Sequence, residues 1–233
     1  MRTHNRWQAS DSIHCSGCRL HTDLCACALL LPMPAHTRVV LVTHVREMSK
    51  PTNTGRLALA CIAGARLIER GRRDAALTAI PCDPDSQPLL LYPGPDAIPL
   101  GEWKAAQGSN AKRVTLVVPD GTWRQTKRVR YRIPGLSQVP CVSLPAGLPS
   151  FYRLRHAADS QRLGTLEAIA HALRILDESE IADRLMHVFR VIVDRALWSN
   201  GRLTADQVTG GIPAGASQDG PRNPQFRDSR GRS

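Results

Sequence analysis

Between residues 114 and 125 the chain reads Val-Thr-Leu-Val-Val-Pro-Asp-Gly-Thr-Trp-Arg-Gln, an apolar, β-branched run that stops abruptly at an acid. Such a run suits a strand buried on both faces, as in a parallel sheet with helices on either side. Pro119 ends the run, Asp120 follows, and Gly121 permits a tight turn. Thr122 and Gln125 then have the spacing of a capping box that opens a helix. Asp120 is therefore expected at the carboxyl end of a strand, where open α/β sheets bind their ligands. A strand-end acid can also do no more than satisfy turn amides, and its position alone leaves both roles open.

The flanking segments alternate in the same way. Strands are expected over 37–44, 89–92 and 139–144, and a helix over 54–71 with Leu57, Ala60, Cys61, Gly64, Leu67 and Ile68 on one face. Two further helices are expected from Thr165, striped by Leu166, Ile169, Ala170, Leu173 and Leu176, and over 180–198, striped by Ile181, Leu185, Val188, Phe189 and Ile192. This alternation predicts an α/β domain with a largely parallel sheet over 36–205. Neither a Gly-x-Gly-x-x-Gly nor a P-loop sequence is present, which counts against a dinucleotide fold and an ATPase.

Composition narrows the partners. Basic residues number 31 against 20 acidic ones, a formal charge of +11 on 233 residues, and no stretch of 18 apolar residues or basic leader occurs. A soluble, untargeted, cytoplasmic protein with a polyanionic partner is expected, nucleic acid ahead of a membrane, and a monomer rather than an oligomer. The segment 206–233 is expected to be a disordered basic tail; its part from 211 on holds four Arg and two Asp, so the excess charge lies mainly on the body. Arg124, Lys127, Arg128, Arg130 and Arg132 follow the Asp120 turn, and at helical spacing Arg124, Arg128 and Arg132 share a face. That face can be merely solvated, or it can contact phosphates without reading sequence.

Four of the seven cysteines fall in Cys15-x2-Cys18-x6-Cys25-x-Cys27, within an amino-terminal segment over 1–35 that is expected to bind metal. Two close pairs of thiolates make a tetrahedral site for a structural zinc with no open coordination position; disulfides or a redox role are the alternative. Cys61, Cys82 and Cys141 are scattered among apolar segments like core residues.

Asp120-Gly121-Thr122-Trp123 resembles the signature of the DTW-domain proteins, the tRNA-uridine aminocarboxypropyltransferases. The resemblance continues through the four cysteines, His44-x-x-Glu47-x-x-Lys50-x-x-Asn53-Thr54-Gly55-Arg56, Ser150-x-Tyr152-x-x-Arg155 and Thr165-Leu166-Glu167-Ala168. The chain departs from the family at Gly164, where Ser is usual, and at Arg19-Leu20, where Arg-Pro is usual. The resemblance implies a fold similar to the knotted, SPOUT-like methyltransferases with a small zinc knuckle at the amino end. It implies transfer of the 3-amino-3-carboxypropyl group from S-adenosylmethionine to N3 of a tRNA uridine, leaving methylthioadenosine. The enzyme must then aim the γ-carbon of the methionine arm, not the methyl, at a nitrogen that is protonated at neutral pH.

A base on that nitrogen helps in the transition state, and the resemblance gives this role to Asp120. It places the donor against Thr122, Trp123, Tyr152, Arg155, Thr165, Leu166 and Glu167, with Arg153 or Arg155 gripping its carboxylate. It places the tRNA against His44, Asn53 and Arg56, joined by Arg124 and Arg128 of the basic face. N3 lies on the Watson–Crick edge, so the uridine must be unpaired or extruded against an aromatic such as Trp123 or Tyr152. Blander roles exist: Trp123 can pack, Thr165 can cap its helix, and Glu167 suits the first turn of any helix. Two rival functions fit the same features, an S-adenosylmethionine-dependent RNA methyltransferase of similar fold and a non-catalytic zinc-ribbon RNA-binding protein.

Overall fold

The β-branched run forms β5 (Arg113–Asp120), and its neighbours on both sides run parallel to it. The computed structural model describes residues 13–48, 50, 52–72, 79–108, 112–154 and 163–218. Its sheet has the order β2-β1-β5-β3-β6-β4, with β1 (Arg38–His44), β2 (Arg66–Arg70), β3 (Ser86–Leu91), β4 (Ile98–Pro99) and β6 (Cys141–Ser143), and every pairing is parallel. Pro99 sits on the edge strand, where a missing N–H costs no ladder bond.

Alternate residues of the strands feed two cores. Val39, Leu41, Leu89, Leu116 and Val118 face one layer, and Val40, Val42, Leu90 and Val117 the other. The first layer holds α2 (Gly55–Cys61), with Leu57 and Cys61 buried, α3 (Leu100–Ala105), and α6 (Thr165–Ile175) and α7 (Ser179–Ser199), on which Leu166, Ile169, Ala170, Leu173, Ile181, Leu185, Val188, Phe189 and Ile192 are buried, together with the cysteine-rich segment. The opposite layer is thinner, with Val129, Ile133 and Leu136 covering the sheet.

Two expectations are corrected. The helix expected over 54–71 ends at Cys61; Gly64 turns the chain at φ +74°, and residues 66–70 run as β2 beside β1. Leu67 and Ile68 fit a helical stripe, but in the strand Ile68 is buried while Leu67 is exposed, because neighbouring strand residues point to opposite faces. The basic stretch after Asp120 is likewise not one helix: α4 (Trp123–Thr126) and α5 (Val129–Arg132) are separate single turns.

Along the expected tail, Val208 is buried, and Thr209 donates from its amide (3.1 Å) and its hydroxyl (2.6 Å) to Asp194 Oδ2 of α7. Residues 219–233 lie outside the described residues. Among the described residues no helix is long and apolar enough to cross a membrane.

Candidate active site

Parallel register aligns the ends of β1 and β5 and sets Thr43 opposite Asp120. The chain leaving β1 forms α1 (Val45–Met48) and returns so that α2 begins beside the same acid. A Cβ on Gly55 would lie 2.9 Å from Leu41 Cδ2 and 3.3 Å from Asp120 Cγ, so only glycine lets this helix start so close to the sheet. The amino end of α6 comes in from the other side.

Asp120, 5% exposed, is thus ringed by donors from three segments. Thr43 Oγ1 donates to Oδ2 at 3.1 Å and Asn53 Nδ2 to the same oxygen at 2.6 Å, while Thr165 Oγ1 donates to Oδ1 at 2.6 Å. The Asn53 amide cannot reverse, since Nδ2 also donates to the Glu47 carbonyl and Oδ1 accepts the Arg56 amide. A carboxylate oxygen accepts about two hydrogen bonds, so Oδ1 keeps a free lone pair while Oδ2 is filled. The ring orients a negative charge and leaves one oxygen able to take a proton.

Next to it, Glu167 is fully buried on the first turn of α6. Its Oε2 accepts Gly164 N–H (2.6 Å) and the Ser150 hydroxyl (2.9 Å), and its Oε1 accepts Phe151 N–H (2.6 Å). Glu167 thereby pins the loop 150–153 to the helix. Gly164 holds the N-cap position without a side chain, so only the Glu half of a capping box is made. Thr165 lies one residue inside the helix and spends its hydroxyl on Asp120 instead of capping. Thr54 Oγ1 accepts Leu166 N–H at 3.3 Å and ties α2 to α6; the Leu166 side chain is core.

Tyr152 is 5% exposed, with its hydroxyl donating to the Thr52 carbonyl (3.0 Å) and its ring tilted on Phe189 at 5.5 Å. Thr122 is exposed; Gln125 Oε1 accepts its amide (2.7 Å) and its hydroxyl (3.0 Å), again one half of the expected capping box. Arg155 and the side chain of Trp123 lie outside the described residues. Arg153 pairs with Asp194 on α7. A surface hollow of ≈ 670 Å³ near Trp198 and Leu203 shares no lining residue with the Asp120 cluster.

A basic rim borders the cluster. Arg70, 5% exposed at the end of β2, donates from Nη2 to the Gln125 carbonyl at 2.8 Å and fastens α4 over the strand ends. Burial first, then the nearby Arg132, lowers its pKa. His44 rests against Gly71, where a Cβ would come within 2.4 Å of Nε2; burial first, then Arg70 and Arg46, pull its pKa down and favour the neutral ring. Arg124, Arg128 and Arg132 are exposed, whereas Arg130 is paired with Asp96.

The four amino-terminal cysteines converge, with their sulfurs all within 4.8 Å of one another. Cys15 and Cys27 are 3.3 Å apart, Cys15 and Cys25 3.5 Å, and Cys18 and Cys25 3.9 Å. Sulfurs about 2.3 Å from a tetrahedral zinc stand roughly 3.8 Å from each other, so the cluster fits that ion with little adjustment. Gly17 makes it possible, since a Cβ there would stand 2.5 Å from Cys27 Sγ. Burial disfavours the Cys15 thiolate, but the Cys18 and Gly17 amides and the Cys27 and Cys25 thiols outweigh it and lower its pKa to about 6. Cys61 and Cys141 are buried in the two cores, as expected for inert thiols, and Cys82 is exposed.

The model of the DTW domain matches residues 12–197, which takes in the knuckle, the Asp120 cluster and most of α7. The chain belongs to the DTW domain family. Curated relatives named "tRNA-uridine aminocarboxypropyltransferase 2" from Macaca fascicularis and Mus musculus are each 31% identical over 173 residues, covering 71% of this chain and 57% of theirs. A relative of the same name from Drosophila melanogaster is 31% identical over 172 residues, covering 70% and 66%. The match thus spans little more than half the length of the mammalian relatives. No solved structure matches this DTW chain at a significant level.

Within the DTW chain, Thr43 and Arg70 are site residues that sequence reasoning passed over. Thr43 stood inside a strand next to His44, and Arg70 inside the segment read as helix. Nothing local marks either one; the sheet register places both.

Proposed function

We propose that this DTW protein transfers the 3-amino-3-carboxypropyl group from S-adenosylmethionine to N3 of a uridine in tRNA, giving acp3U and methylthioadenosine. The observation that carries the reading is Asp120, buried at a strand end and oriented by Thr43, Asn53 and Thr165, with one lone pair of Oδ1 left over. The N3–H bond of the uridine breaks as the new N–C bond forms to the donor's γ-carbon, and the γ-carbon–sulfur bond breaks with its electrons staying on sulfur. Oδ1 takes the N3 proton. The donor's sulfonium charge and the carboxylate's negative charge are both consumed in this step, so a base buried away from water favours it.

The names of the relatives support tRNA as the acceptor, and the charge of +11 supports a polyanion. In this reading Thr122, Trp123, Tyr152, Arg155, Thr165, Leu166 and Glu167 shape the donor pocket. Leu166 and Glu167 do so from beneath, since both are fully buried. His44, Asn53, Arg56, Arg124 and Arg128 belong to the tRNA side, Asn53 and Arg56 as supports from beneath, since Asn53 holds Asp120 and Arg56 the Gly17 carbonyl, and the exposed Arg124 and Arg128 on phosphates. Zinc in the cysteine knuckle would be structural: four sulfurs leave it no open position, and it takes no part in the transfer. The reading includes a cytoplasmic monomer and kinship with the knotted methyltransferases, for which the support is the parallel sheet with its site at the carboxyl ends of the strands.

Incubation of the purified chain with unmodified tRNA and S-adenosylmethionine, followed by nucleoside mass spectrometry, tests it. The expected product is a uridine carrying the aminocarboxypropyl group, with methylthioadenosine in equal amount. A methylated uridine with S-adenosylhomocysteine would establish the methyltransferase instead. Absence of both products and of donor binding would leave an RNA-binding protein.

A further inference from the structure

Two arginines hold the cysteine knuckle, the half-buried Arg56 and the buried Arg195, and among the described residues neither meets a carboxylate. Arg56, the second residue of α2, donates from Nη1 to the Gly17 carbonyl inside the turn between Cys15 and Cys18. Arg195, on α7 and 9% exposed, donates from Nη1 to the carbonyls of Leu24 (3.1 Å) and Cys25 (2.9 Å) and from Nε to Gly211 (3.3 Å). No acid among the described residues forms an ion pair with either one. Nε and Nη2 of Arg56 are buried without a hydrogen-bond partner among the described residues. A buried guanidinium facing only carbonyls is costly unless an anion stands near. Burial and then the neighbouring Arg19 disfavour the charge on Arg56, and the groups that favour it are the sulfurs of Cys18, Cys27 and Cys15; burial disfavours the charge on Arg195 too, and the sulfurs of Cys18 and Cys25 favour it.

Four thiolates around one divalent ion leave two negative charges, and Arg56 and Arg195, with Arg19 also close to Arg56, are the cations set around them. We propose that Arg56 and Arg195 form the outer shell of the tetrathiolate metal site, and that Arg56 is in addition a positioning residue that transmits the filling of that site to Asp120. The path is short: the Arg56 amide donates to Asn53 Oδ1 at 3.2 Å, and Asn53 Nδ2 donates to Asp120 Oδ2 at 2.6 Å. A filled knuckle fixes the Gly17 carbonyl and hence the start of α2. An empty knuckle lacks the tetrathiolate dianion that Arg56 would face, frees the Gly17 carbonyl, and loosens the amide that orients the acid. The knuckle is thus part of the site's framework, which explains why Cys18, Leu20, Leu24 and Ala26 are buried in the main core. This inference rests on the zinc reading above.

The test uses the full chain, with zinc as the probe. Zinc affinity is measured by competition with a chromophoric chelator for the unaltered protein and for Arg56→Met, Arg195→Met and Arg56→Lys, and hydrogen exchange of the segment 53–57 is followed with and without zinc. Loss of an outer-shell partner typically weakens a metal site by about 10–100-fold, and that loss is expected for each Met variant, while Arg56→Lys, which keeps the charge, stays within about threefold. Zinc should slow exchange at 53–57 in the unaltered protein and in Arg195→Met, and should fail to do so in Arg56→Met. The exchange comparison on the unaltered protein needs no variant to fold: exchange indifferent to zinc overturns the link to Asp120. Met variants that bind zinc as tightly as the unaltered chain overturn the outer shell, as does an Arg56→Lys variant as weak as Arg56→Met. A chain that binds no zinc overturns the metal reading itself and this inference with it.

Discussion

Replacing Asp120 by Asn separates charge from shape at the site. Asn53 Nδ2 can only donate, so the variant's amide oxygen must take the place of Oδ2, and its NH2 group then faces Thr165 Oγ1. The Thr165 hydroxyl can rotate to accept, and the Thr43 hydroxyl continues to donate, so all three contacts survive in a neutral form. Hydrogen bonds to a charged group are worth about 1.5–3 kcal/mol and neutral ones about 1, and a neutral amide costs less to bury than a carboxylate, so the fold should lose on the order of 1–3 kcal/mol in all. The barrier should rise by more: a general base contributes roughly 10²–10⁴-fold, or about 3–5 kcal/mol. Single-turnover transfer at saturating tRNA and donor reads the chemical step, and thermal unfolding reads the fold. The expected result is a rate lowered at least about a hundredfold with a modest drop in melting temperature and intact binding of both ligands. A variant that transfers at nearly the original rate would refute the role of Asp120 as base and leave it an organiser of the turn. Loss of donor binding would assign it to the pocket instead.

Glu167→Gln should be worse tolerated by the fold than Asp120→Asn. Two backbone amides and a hydroxyl converge on both carboxylate oxygens, so one end of the amide must set its NH2 against an N–H. A buried donor without a partner costs about 1–3 kcal/mol in addition to the weakening of the charged hydrogen bonds, which a denaturant melt would read; an unchanged midpoint would contradict the pinning of the loop 150–153. Neutralising Arg124, Arg128 and Arg132 together should weaken tRNA binding and reduce the slope of log affinity against log salt by about 2, as for three lost phosphate contacts; an unchanged slope means a merely solvated face. His44 and His171 both have pKa values lowered chiefly by burial, so the unfolded chain takes up these protons first as pH falls. Stability should therefore drop from about pH 6.5 downwards and recover above it, and His171→Gln should make the drop in melting temperature shallower. An equal drop in the variant would remove His171 from the account.

Much of this was legible because local sequence reports backbone state. The unbroken run before Asp120 could be satisfied only by a strand covered on both faces, and Pro119 with Gly121 placed the acid at its end. The spacing of four cysteines limited them to one small loop, and the stripes of α6 and α7 declared which side each helix buries. Where a segment satisfied two periods at once, the sequence was ambiguous: residues 54–71 carry apolar positions at helical intervals, yet the left-handed turn at Gly64 and an open edge of β1 made the last part a strand. Which side chain meets which lay beyond sequence altogether. Thr43 reaches Asp120 only through the register of two strands 77 residues apart, and Thr165 only because α6 docks on the end of β5. The pairing of Arg56 and Arg195 with the cysteine loop likewise needs α2 and α7 to be packed before either arginine has a partner. Periodicity fixes the face a residue presents; the contacts of that face depend on the packing of elements distant along the chain, and that is where Asp120 acquires its setting.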